Sequence, residues 1–120
     1  MIQMTIPKLP PSVNNYWGAK CVGERVRRWL SKEGREFKEL VNWVGRAGNV
    51  RPITGEVELE VVFYISRDRD LDNFLKSLLD SLQGVTYFND KQVYKILAEK
   101  KRVKKGEERV EVIIREINVK

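Results

Sequence analysis

Val57, Leu59, Val61, Phe63 and Ile65 alternate with Glu56, Glu58 and Glu60. A period of two puts the apolar side chains on one side of an extended chain, so 56–65 reads as a strand with a single core-facing side. The period then changes. Leu71, Phe74, Leu75, Leu78, Leu79 and Leu82 recur at i, i+3, i+4, i+7, i+8 and i+11, the stripe of an amphipathic helix that stops at Gly84. Upstream, Ile2, Met4 and Ile6 mark a short strand over 2–8, Pro10-Pro11-Ser12 breaks it, and Val13–Trp17 follows as a loop. Ser31 can cap a helix to about Ala47, with Phe37, Leu40, Val41 and Val44 on one side. Gly45, Gly48, Pro52 and Gly55 mark a loop, and strands at about 92–103 and 108–117 flank the turn Lys104–Glu107. The order is β-α-β-α-β-β. An α/β chain of the α+β kind is expected, a single domain over 1–120, with two helices packed on one mixed four-stranded sheet.

With 120 residues there is room for one core and not two. Hydrophobic residues at 42% against 33% charged describe a globular chain rather than a disordered one. No apolar run approaches the roughly 20 residues a membrane helix needs, and Met1–Lys8 lacks a secretory signal's apolar stretch, so a cytoplasmic protein is expected. Cys21 stands alone and histidine is absent, which removes intrachain disulfides, thiolate zinc sites, catalytic triads and imidazole proton shuttles. Any metal must be held by oxygen, which points to Mg²⁺, Mn²⁺ or Ca²⁺.

Twenty-three Lys and Arg against seventeen Asp and Glu give +6, a balance that suits a polyanionic partner. Between Lys91 and Lys105 seven cations (Lys91, Lys95, Lys100, Lys101, Arg102, Lys104 and Lys105) meet only Glu99, an excess equal to the whole chain's. A second group, Arg25, Arg27, Arg28, Lys32, Arg35 and Lys38, is mixed with Glu24, Glu33 and Glu36 and fits a solvated surface as well as a binding one. The acids are partitioned too. All five aspartates lie between 68 and 90, where none of the twelve glutamates falls. Asp holds its oxygens close to the backbone, as a rigid hard-cation site requires, and it equally suits caps and turns.

The sharpest constellation is Arg67-Asp68-Arg69-Asp70-Leu71-Asp72-Asn73, at the strand-to-helix junction. Extended backbone here would aim Asp70 and Asp72 the same way, and Asp72 sits where an N-cap belongs. Lys76 is one turn further on, and Asp90 arrives from the separate turn Tyr87–Asp90. Three carboxylates from two segments, with a lysine, can hold one or two Mg²⁺ ions against a phosphodiester. Taken singly each has a plainer reading: a cap, an i±4 pairing of Lys76 with Asp72 and Asp80, a turn aspartate. Together they favour metal-dependent phosphodiester chemistry.

At these residues the sequence resembles the RusA family of Holliday junction resolvases. Pro10–Trp17 is similar to its N-terminal Pro-Pro-Ser-Asn motif, and Ser31-Lys32-Glu33-Gly34 with Phe37 to the opening of its first helix. Arg69-Asp70-Leu71-Asp72-Asn73 with Lys76 and Asp80-Ser81-Leu82, then Asp90-Lys91-Gln92-Val93, is similar to its long central signature. The resemblance implies a Mg²⁺-dependent endonuclease (Mn²⁺ as a substitute), acting as a homodimer on four-way junctions of branched DNA in recombination and repair. It implies catalytic aspartates at Asp70, Asp72 and Asp90, all metal ligands, and an essential lysine at Lys76. The cations expected on DNA are Arg67, Arg69, Lys91, Lys95, Lys100, Lys101 and Arg102. One departure is Asn89, where the family usually has another aspartate; the stretch from Asp80 to Asp90 is also slightly short. Two other readings stay open, a fork or flap nuclease and a non-catalytic nucleic-acid-binding module. Trp17, Trp29 and Trp43 lie off the apolar stripes and suit either a core or a dimer interface.

Overall fold

The computed structural model describes residues 1–117, apart from the side chains of Lys20 and Val22. In chain order the elements are β1 (Ile2–Ile6), α1 (Val13–Tyr16), β2 (Trp17–Val22), β3 (Arg25–Leu30), α2 (Lys32–Ala47), β4 (Val57–Ile65), α3 (Leu71–Leu82), β5 (Val93–Arg102) and β6 (Arg109–Glu116). A single 3₁₀ turn, Asp90–Gln92, leads into β5. The mixed four-stranded sheet is present, in the order β1-β6-β4-β5.

β4 is the strand around which everything is arranged. It runs parallel to β5 and antiparallel to β6, so the turn at Lys104–Glu107 does not close a hairpin between its neighbours in sequence. Instead the chain steps across the end of β4, with Gly106 at φ 98 making the bend. Val57, Leu59, Val61, Phe63 and Ile65 are all buried, joined by Met4 and Ile6 of β1 and Val110, Val112 and Ile114 of β6. Phe37 and Val41 of α2 and Phe74, Leu78 and Leu82 of α3 cover that side. Among the described residues no helix covers the opposite side of the sheet.

Two elements escape the sequence patterns. The 17–30 stretch forms a two-stranded hairpin with the loop Gly23-Glu24, Gly23 taking φ 64. Its residues Cys21 and Gly23–Trp29 are exposed on both sides, so no apolar alternation announces the strands. The second is the single turn α1, which turns the Pro-Pro-Ser segment into a wedge between α2 and α3. Ser31 caps α2 by accepting from Gly34 N at 3.0 Å and also donates to the Tyr16 carbonyl at 3.0 Å. A Cβ on Gly34 would stand 2.4 Å from that same carbonyl oxygen. The Ser-x-x-Gly spacing thus lets α1 press onto the first turn of α2.

Candidate active site

The β4–α3–β5 unit is a parallel crossover, and it decides where the aspartates go. Asp70 follows the C-terminal end of β4 and is the N-cap of α3, in extended backbone (φ −71, ψ 138) and without a side-chain cap bond. Asp72 lies in the first helical turn, so the cap falls two residues earlier than the sequence suggests, and the chain is already helical where an extended run would have aligned the two carboxylates. Both are exposed and both sit at the positive end of the helix dipole. Lys76, one turn along, is exposed and makes no ion pair among the described residues.

The i+4 pairing of Lys76 with Asp80 is not formed, because Asp80 is taken. It accepts the Tyr16 phenol at 2.5 Å and lies 3.8 Å from Lys38 of α2. Ser81 donates to the same phenol at 3.1 Å, and Ser77 donates to the Pro11 carbonyl at 2.6 Å. Burial, then the bond to Asp80, pushes the Tyr16 phenol well above its ordinary value, so it stays a donor. This network locks α3 to the Pro-Pro-Ser wedge. Its trace in the sequence is Ser77 and Ser81, one turn apart inside a leucine stripe, where two small polar residues face a close-packed neighbour rather than solvent.

The 66–70 loop is held from the other side. The Lys100 ammonium of β5 donates to Asp68 at 2.9 Å and to the Arg69 carbonyl at 2.7 Å. The Lys100 bond and charge, with Arg102 adding to them, keep the Asp68 carboxyl below the usual range. Strand alternation divides the basic run between two sides of the sheet. Lys100 and Arg102 neighbour Phe63 and Ile65 and share their side, whereas Lys95 and Lys101 neighbour Glu58 and Tyr64 on the helix-free side. Lys91 stands in the 3₁₀ turn at the far end. Beside the loop an open cleft of about 600 Å³ is walled by Arg67, Arg69, Lys8 and Lys105 and by Pro11 and Ser12 of the wedge.

Asp90 is elsewhere. Its 3₁₀ turn is capped by Asn89, which accepts from Lys91 N at 2.9 Å, a task an aspartate performs equally well, so the Asn89 departure keeps the local fold. Gln92 donates to the Ile53 and Gly55 carbonyls at 2.7 and 2.8 Å, which fixes the turn at the N-terminal end of β4. β4 has nine residues, so within one chain Asp70 and Asp90 are separated by on the order of 25 Å. Among the described residues no three Asp, Glu or Cys side chains gather to hold a metal. Asp70 and Asp72 are the right donors for a hard divalent cation; among the described residues no third carboxylate joins them.

Residues 7–115 match the family model described as Endodeoxyribonuclease RusA. The chain belongs to the RusA family. It is also 32% identical over 95 residues to the "Crossover junction endodeoxyribonuclease rusA" of Enterobacteria phage HK97, covering 77% of this chain and 75% of that one. The RusA match takes in the Pro-Pro-Ser wedge, the β4–α3 junction and the Asp90 turn, the three segments the geometry singles out. Among the described residues no helix is long and apolar enough to cross a membrane.

Proposed function

We propose that this RusA chain is a Mg²⁺-dependent endonuclease, with Mn²⁺ as a substitute, that acts as a homodimer and resolves four-way DNA junctions by paired symmetric nicks. The observation that carries this is the pair Asp70 and Asp72 at the N-terminus of α3, exposed and followed one turn on by Lys76, which makes no ion pair among the described residues. The curated relative named for crossover junctions supports the substrate.

A bound divalent cation would supply Lewis-acid polarisation of the scissile phosphate and a more acidic water. Asp70 and Asp72 would hold their share of its coordination from the end of a rigid helix. Lys76 offsets charge as it builds on the phosphoryl oxygens, and its freedom from Asp80 leaves its ammonium available for that. Arg67 and Arg69, exposed on the same loop, neutralise flanking phosphates, and no histidine exists to act as base. Hydrolysis on these terms leaves a 5′-phosphate and a 3′-hydroxyl. A four-way junction has near two-fold symmetry and needs two matched cuts, which a C2 dimer supplies in one binding event.

The test is a cleavage panel of junction, fork, flap and linear duplex, with Mg²⁺ or with EDTA. Paired nicks in the junction that vanish in EDTA are expected. Preferential cutting of forks or flaps would reassign the substrate, and binding without any metal-dependent cut would leave a non-catalytic module.

A further inference from the structure

We infer that the β2–β3 hairpin is a DNA-contacting arm, on which Trp29 stacks an unstacked base at the branch point while Arg25 and Arg27 hold the adjoining phosphates. The inference deepens the nuclease reading above and rests on it for the choice of branched DNA as the partner.

The hairpin is built unlike the rest of the chain. β2 and β3 pair only with each other, Cys21 and Gly23–Trp29 are exposed, and none of the hairpin's described side chains joins the buried core. Its root, by contrast, is fixed. Ser31 donates from its backbone N–H to the Tyr16 carbonyl at 3.0 Å and from its hydroxyl to the Asn15 carbonyl at 2.5 Å. Trp17 packs edge-on against the Tyr16 ring, with centroids 5.0 Å apart. The Tyr16 phenol, bonded to Asp80, ties that root to α3, whose N-terminus carries Asp70 and Asp72. Asn15 and Glu33, which bracket the hairpin in sequence, also line the cleft walled by Arg67 and Arg69. The arm therefore starts from the wall of the cleft beside the Asp70 loop, with strands of six residues that span roughly 20 Å.

Strand alternation gives the arm two unlike sides. Arg25, Arg27 and Trp29 fall at every second residue and share a side, about 7 Å apart, whereas Val26 and Arg28 take the other. Trp29 stands opposite Gly18 in the register, and a Cβ on Gly18 would lie 2.9 Å or less from three indole atoms, Nε1, Cε2 and Cζ2. The glycine is thus the seat of the indole, which the neighbouring strand supports while Trp29 stays 45% exposed. A ring held in place loses little freedom on binding, and its π surface suits any base. Neither Arg25 nor Arg27 makes an ion pair among the described residues, and Glu24 is the one acid in the sequence from Trp17 to Leu30. Covering Gly18 explains an apolar residue at 29; it leaves the two arginines in line with it unexplained. An aromatic flanked by cations is the composition that binds unstacked nucleotides. A four-way junction offers base faces at its branch point that linear duplex keeps stacked, so Trp29 distinguishes the two and the arginines do not.

Binding measured in EDTA, where no cutting intervenes, tests this with a four-way junction and a linear duplex of equal length. Trp29→Ala should weaken junction binding about tenfold and duplex binding less than about twofold. Trp29→Phe should recover most of the loss, whereas Trp29→Leu, able to cover Gly18 but without a π face, should not. Arg25→Gln with Arg27→Gln should weaken both DNAs and lower the duplex slope of log K against log salt by about 1.8, two phosphate contacts at about 0.9 each. Equal losses on the two DNAs, unchanged junction affinity in Trp29→Ala, or full recovery by Trp29→Leu would overturn the platform. Trp29-dependent junction binding by a wild type that cuts nothing in Mg²⁺ would fault the nuclease reading and leave the arm standing. Junction cutting by a wild type whose binding does not depend on Trp29 would overturn the arm and leave the nuclease reading.

Discussion

Lys100, two residues before the end of β5, donates to Asp68 at 2.9 Å across the mouth of the β4–α3 junction. With its second bond, to the Arg69 carbonyl, it fixes the backbone immediately ahead of Asp70. A cation that a one-dimensional reading assigns to DNA thus has a positioning task inside the protein.

Lys100→Met should therefore slow junction cleavage about tenfold at saturating DNA, and amide exchange over 66–70 should quicken. Lys100→Arg, which can still reach both oxygens, should restore most of the rate. Because the Asp68 carboxyl is held below its usual range, the contact is intact at neutral pH and is lost only as pH falls through that lowered value. Unchanged exchange in Lys100→Met would show that the loop is held by other means.

Tyr87 is buried and donates to the Leu79 carbonyl at 2.7 Å. Burial first, then Asp90 and Asp80, raises its phenol far above the ordinary value near 10. A raised folded value means the native chain keeps a proton that the unfolded chain releases, so this stability is complete below about pH 10 and falls as pH rises beyond it. Urea unfolding followed from about pH 9 to 11.5 should show a shallower alkaline decline for Tyr87→Phe than for wild type. Parallel declines would contradict the assignment.

Gly34→Ala should cost about 1–3 kcal/mol in urea unfolding, since the new methyl meets backbone oxygen and not a movable side-chain tip. Gly48→Ala, at the other end of α2 with its nearest atoms at 3.6 Å, should stay within about 0.5 kcal/mol. Equal effects would mean α1 does not press on α2 as described.

The two sides of β5 should differ on DNA. Arg102→Gln should weaken junction binding and lower the slope of log K against log salt by about 0.9, the value of one phosphate contact on duplex, whereas Lys101→Gln should leave the slope unchanged. The reverse result would place DNA on the helix-free side of the sheet.

Much of this fold was legible because its central elements are amphipathic in the plain sense. Val57–Ile65 and Leu71–Leu82 each bury one side, and periodicity reports that directly. The β2–β3 hairpin was not legible, since strands exposed on both sides leave no period. The Tyr16–Asp80 bond links residues 64 apart, and nothing local distinguishes Asp80 from any surface carboxylate. Asp70, Asp72 and Lys76 could be found from spacing along one helix. The distance to Asp90 could not, because it depends on β5 running parallel to β4, a choice the strand sequences do not encode by themselves.

The most direct measurement compares wild type with Asp70→Asn and Lys76→Met for binding and cutting of the same four-way junction in Mg²⁺. Both variants should bind within about threefold of wild type and lose cleavage by at least about a hundredfold, as expected of groups that act on the reacting phosphate and not on the DNA as a whole. Near-wild-type nicking by Asp70→Asn would remove the carboxylate at the α3 N-terminus from the chemistry and contradict the account.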